Sequence, residues 1–154
     1  MIWFVIFSVL IPVLDQFLKF QVKNNIAVDT QISTFLPFLK ISNVRNSGVA
    51  FGVLKPFTFL MIIMVLLIIS FFCYLIFVKK RQDSLFLVSA AFIIGGGLSN
   101  LIDRLLFKYV TDYISISFFT PVCNLADYFI CIGTILLIIY YFKNPETKPR
   151  HVAK

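Results

Sequence analysis

The chain has 154 residues, 60% of them hydrophobic and 14% charged, where an average soluble domain carries roughly 25% charged residues. A soluble domain of this size leaves roughly 30% of its unfolded-chain surface in water, so this composition excludes a soluble globule, and its apolar content excludes a disordered chain. Fourteen Lys and Arg against seven Asp and Glu give a net charge of +7. The basic residues stand at the ends of apolar runs, which suits topology control and anionic lipid heads and not nucleic acid.

Four segments are predicted to span a bilayer, making one all-α integral membrane domain over 1–154. The first helix covers about 1–22. Its uncharged part, Met1 to Leu14, is too short alone and continues through Asp15, Gln16 and Lys19. It has no basic n-region and no A-x-A site. Asp15 and Lys19 lie four apart on one helix face, so a retained helix is expected and not a cleaved leader. An outer segment over 24–56 follows. Its apolar runs around Pro37 and over Ile41–Val44 predict short strands on the membrane surface.

The second helix is the clearest: Phe57 to Val78 holds 22 residues without a charge, enough at 1.5 Å per residue for a core about 30 Å thick. The third helix, 85–106, carries Asn100, Asp103 and Arg104 near its end. Residues 108–121 form the second outer connection. There Asp112, Ile114, Ile116 and Phe118 share one strand parity, which points Asp112 to the apolar side. The fourth helix, 124–142, opens with Asn124 and Asp127, and a basic tail fills 143–154.

Seven basic residues in the 79–81 loop and the tail face four in the outer connections. The positive-inside rule therefore predicts cytoplasmic termini. Cys73, Cys123 and Cys131 show no paired spacing and are read as small membrane-embedded hydrophobes. His151 is the only histidine, so no metal site and no cofactor are expected.

With this topology Asp15, Asp103, Asp112 and Asp127 arrive at one layer from four separate stretches. A charge at the bilayer centre costs roughly 2.5–3.5 kcal/mol on insertion scales, so the convergence calls for partners or a purpose. With no histidine nearby, no metal set and no G-x-S-x-G elbow, paired carboxylates remain: one as base and one as acid, they can activate a water. Plainer readings stand beside this one. Asp15 and Lys19 are a neutralised structural pair or line a site. Asn100, Asp103 and Arg104 form a packing network near it. Asp127 is a helix-start acid with Asn124 as its N-cap. Gly95-Gly96-Gly97 allows close helix approach. A small transporter or proton-conducting bundle is the alternative function, since intramembrane acids often mark ion paths.

Five blocks in order resemble the bacterial lipoprotein signal peptidases, signal peptidase II. They are Asp15-Gln16 with Lys19, Asn46-Ser47-Gly48-Val49-Ala50-Phe51-Gly52, Asn100-Leu101-Ile102-Asp103-Arg104, Val110-Thr111-Asp112-Tyr113-Ile114, and Asn124-Leu125-Ala126-Asp127 with Gly133. The resemblance implies a membrane aspartyl endopeptidase of the cytoplasmic (inner) membrane, acting near its outer face. It would remove signal peptides from diacylglyceryl-modified prolipoproteins, cutting before the lipidated cysteine. It implies a dyad at Asp112 and Asp127, with Asn46, Asn100, Asp103, Arg104, Asn124, Asp15 and Lys19 binding substrate or bracing the site. It also implies a small extracytoplasmic β-cradle from 24–56. Membrane lipid is an expected partner, and the protein is expected to be a monomer. Ser99, Thr111, Cys123 and Tyr128 depart from the family pattern without removing a carboxylate.

Overall fold

The structure, a computed structural model, describes residues 1–48 and 55–145. The stretch Val49-Ala50-Phe51-Gly52 of the second block, the basic residues Lys148, Arg150 and Lys154 of the tail, and His151 lie outside the described residues.

Among the described residues, four helices are long and apolar enough to cross a membrane. They are α1 (Ile2–Asn25), α2 (Lys55–Cys73, extended by a π-helical stretch Tyr74–Val78), α3 (Ser84–Phe107) and α4 (Leu125–Lys143). Most of α3 is buried, whereas α1, α2 and α4 turn most of their residues outward. The chain therefore packs three lipid-facing helices around a central one. Its glycines explain how. A Cβ on Gly95 would stand 3.1 Å from the Phe7 carbonyl oxygen of α1, and one on Gly96 would stand 2.5 Å from the Ala126 carbonyl oxygen of α4. Adjacent residues of a helix point about 100° apart, so neighbouring glycines admit different helices at close range, as expected for this run.

The outer connections join in one antiparallel sheet with order β1-β2-β3-β4: β1 (Gln31–Ser33), β2 (Leu39–Asn46), β3 (Val110–Ile116) and β4 (Phe119–Cys123). The cradle thus draws its two further strands from 110–123 and is not built from 24–56 alone. In β2–β3 the pairing runs Ile41 with Ile114, then Val44 with Asp112 and Asn46 with Val110, across an irregularity between Ile41 and Val44. A bulge of this kind re-aims side chains. It sets Val44 beside the third residue and Asn46 beside the first of the stretch Val110–Asp112.

Among the described residues, two apolar clusters hold the fold together. The larger, around Phe72, Ile76, Phe86, Ala90, Ala91 and Tyr140, fills the half away from the sheet. The smaller, Val22, Ile26 and Tyr113, fastens the end of α1 to β3.

Candidate active site

The polar layer lies where α1, α3 and the start of α4 meet the sheet. Asp15, Lys19 and Asp103 are fully buried. Lys19 Nζ stands 2.7 Å from Asp15 Oδ2 and 3.3 Å from Asp103 Oδ2, and donates to Asn100 Oδ1 at 2.9 Å. An ammonium has three donors, and each has an oxygen. Ser99 Oγ donates to Asp15 Oδ2 at 2.6 Å, so the serine departure supplies one more donor to a buried carboxylate. Asp103 receives Gln16 Nε2 and Lys23 Nζ on Oδ1, both at 3.3 Å, and the Thr111 amide on Oδ2 at 2.9 Å. That last bond ties α3 to the residue before Asp112.

Asp112 is 2% exposed. Asn46 Nδ2 donates to its Oδ2 and Asn124 Nδ2 to its Oδ1, each at 2.7 Å. The strand parity read from sequence is corrected here. Tyr113, not Asp112, sits in the apolar cluster against α1, while Asp112 turns toward two amides. Alternation alone could not reveal this, because the polar partners come from β2 and α4. Burial pushes the Asp112 carboxyl up to about 6, helped by the charge of Asp127 and opposed by the Asn46 and Asn124 amides and by Lys19.

Asp127 is the third residue of α4. Its Oδ2 accepts the Asn124 amide at 3.1 Å, while Asn124 Oδ1 accepts the Asp127 amide at 3.0 Å, a reciprocal capping box. Its Oδ1 accepts Asn100 Nδ2 at 2.8 Å. The plain helix-start reading and the site reading therefore describe the same carboxylate. Asn124 Nδ2 also reaches Asn100 Oδ1 at 3.2 Å, so two facing amides join the carboxylates through the path Asp112–Asn124–Asn100–Asp127.

Arg104 leaves Asp103 and donates to the Asn100 carbonyl at 3.3 Å. It forms no ion pair within 4.0 Å among the described residues, yet its charge acts on Asp127, Asp112 and Asp103. An open groove of about 310 Å³ runs beside Asp112, lined by Val44, Asn46, Ser47, Pro121 and Val122. All three cysteines are free. Burial pushes the Cys123 thiol up, as do the charges of Asp127 and Asp112, which makes it a poor nucleophile. Among the described residues no three His, Cys, Asp or Glu side chains converge to hold a metal ion. The layer thus collects all nine side chains that the sequence singled out. It adds Gln16, Lys23, Ser99 and Tyr113, each bonded to at least one partner more than 75 residues away in sequence.

Residues 7–143 match the model of the family described as signal peptidase (SPase) II. The chain belongs to the signal peptidase II family. That family processes the signal peptides of prolipoproteins, so the chain is a membrane peptidase, and the transporter alternative falls away. It is 36% identical to the lipoprotein signal peptidase of Halothermothrix orenii over 95% of this chain and 98% of that one. It is 39% identical to that of Bartonella tribocorum over 82% and 78%. Two solved bacterial membrane enzymes, determined in meso at 2.3 and 1.9 Å, share the fold with TM-scores of 0.82 and 0.84, each at 27% identity. The first covers 98% of this chain and 94% of its own, the second 92% and 93%.

Proposed function

We propose that this signal peptidase II cuts diacylglyceryl-modified prolipoproteins just before the lipidated cysteine, with Asp112 and Asp127 as its catalytic dyad. One observation carries the reading: two carboxylates from separate elements are joined through a single pair of asparagine amides beside an open groove. Asp112, with its carboxyl raised to about 6, enters protonated. Asp127 enters as carboxylate, at a helix N-terminus where the dipole favours negative charge. Asp127 takes a proton from the attacking water as the oxygen bonds to the scissile carbonyl carbon, and Asp112 gives its proton to the carbonyl oxygen. Asp127 then passes its proton to the leaving amide nitrogen, the C–N bond breaks, and Asp112 regains its proton from the collapsing diol. Each transfer is ordinary general acid–base work between groups held in reach. Asn46, Asn100 and Asn124 hold the two carboxyls. Asp15, Lys19 and Asp103 brace the elements that carry them, and Arg104 offers donors to the substrate backbone or lipid head.

The protein acts as a monomer, with both termini in the cytoplasm and the dyad near the outer membrane face. Little mass outside the spans is available for a deep peptide cleft, so specificity comes largely from the bilayer. Two lipid chains, each CH₂ contributing about 0.8 kcal/mol, hold the substrate cysteine at a fixed depth. The anchor converts the encounter into a search within the membrane and presents the scissile bond at the dyad. The purified enzyme is tested on one prolipoprotein with and without the diacylglyceryl group, in the same detergent. Cleavage of the lipidated form alone is expected. Equal rates would favour a general membrane peptidase.

A further inference from the structure

The first turn of α4 is held in an unusual way. The opening amides of a helix have no partner within the helix. Here the Asp127 amide goes to the Asn124 side chain at 3.0 Å, the Ala126 amide to Asp15 Oδ1 at 3.3 Å, and the Leu125 amide to the hydroxyl of Tyr113 at 3.2 Å. The same hydroxyl donates to Asp15 Oδ1 at 2.9 Å. Tyr113 therefore follows Asp112 on β3, takes the backbone of α4 two residues before Asp127, and anchors both to the buried carboxylate of α1. Its ring is 4% exposed, within the cluster of Val22 and Ile26, so the hydroxyl has little freedom to wander. Burial pushes its phenol well above the usual range, reinforced by the charge of Asp15, so the hydroxyl keeps the proton it donates.

Resting on the dyad reading above, we infer that Tyr113 is a positioning residue: a strap from the Asp112 strand to the Asp127 helix that sets the separation of the two carboxyls. The hydroxyl is both donor and acceptor here, and phenylalanine would fill the same apolar space while leaving the Leu125 amide and one side of Asp15 Oδ1 unpartnered. The start of α4 would then settle where other partners satisfy it. Two coupled carboxyls split their titrations according to their mutual repulsion. A dyad drawn apart therefore loses splitting, and its two pH limbs move together.

The test is Tyr113→Phe in the full-length enzyme, with kcat, KM, melting temperature and the pH profile measured on lipidated prolipoprotein. Misplacing reacting groups by about 1 Å can cost up to roughly a hundredfold in rate, so a fall in kcat of roughly tenfold is expected with KM within about twofold. The two limbs of the profile should close toward each other. Ile76→Val, in the apolar cluster far from the sheet, serves as the stability control and should lower the melting temperature without moving either limb. A lowered melting temperature for Tyr113→Phe with wild-type kcat and limbs would reduce the strap to a fold brace and overturn the inference. A raised KM with unchanged kcat would make Tyr113 a substrate contact and overturn it equally. Asp112→Asn and Asp127→Asn are run alongside. Activity in either defeats the dyad reading itself, whereas two inactive variants beside a normal Tyr113→Phe defeat only the strap.

Discussion

The two halves of this helix bundle are held by different physics. Away from the sheet, Phe72, Phe86, Ala90 and Tyr140 pack through rings and small residues; Phe86 and Tyr140 centroids lie 5.4 Å apart. Toward the sheet, Asp15, Lys19, Asp103, Asn100 and Asn124 replace apolar contacts with hydrogen bonds at full burial. Apolar packing tolerates a lost methylene by partial collapse. A buried polar network leaves a specific atom without a partner when one member goes. The first half gives the bundle its stability. The second sets the geometry of the proposed dyad, at the expense of holding charge in a low-dielectric place.

That contrast can be broken most forcefully at Asp103, which sits on α3 and takes bonds from α1 and β3. Asp103→Ala leaves Lys19 with a lost partner, and breaking a buried pair costs about 3–5 kcal/mol. The melting temperature and the activity should both fall sharply. Phe86→Ala should cost a similar about 3–5 kcal/mol of stability, yet leave kcat close to wild type in whatever fraction is folded. Activity lost in proportion beyond unfolding would mean the halves are not separable.

Gly96→Ala sharpens the comparison at the seam. Its Cβ would meet the Ala126 carbonyl oxygen at 2.5 Å, and overpacking costs typically about 1–3 kcal/mol. Because Ala126 precedes Asp127, activity should suffer more than stability. A stability scan with a turnover assay separates the two.

The pH profile should be bell-shaped, with its alkaline limb near the raised Asp112 value of about 6. Above that limb Asp112 loses the proton it must donate. The same raised value means that the folded state binds this proton more tightly than the unfolded chain. The associated stability is full at low pH and is lost as pH rises from about 4 through about 6. The smallest effect belongs to Lys23, part-exposed at the edge of the network. Lys23→Gln should change stability by no more than about 1 kcal/mol and barely alter kcat.

Much of this layout was legible in the sequence, for reasons that differ by residue. The spans declare themselves through uncharged runs, and Asp15 with Lys19 through helical spacing. The gathering of acids at one layer follows from helix direction alone. The bonding of Tyr113 and Ser99 stayed hidden because their shared partner, Asp15, is distant in the chain. The facing direction of Asp112 was misread because a strand's alternation says which residues share a side, not which side offers amides. The contribution of 110–123 to the sheet was visible as alternation, but its pairing with Leu39–Asn46 depends on contacts that no local pattern carries.

The central claim is that Asp112 and Asp127 work as one unit. Its most direct measurement is turnover of a lipidated prolipoprotein by Asp112→Asn, Asp127→Asn and the double variant, each purified with its melting temperature recorded. Both single variants should be folded and inactive, and the double variant should lose scarcely more than either, because members of a unit are grossly non-additive. Near-normal turnover in either folded single variant, or losses that simply multiply in the double variant, would contradict it.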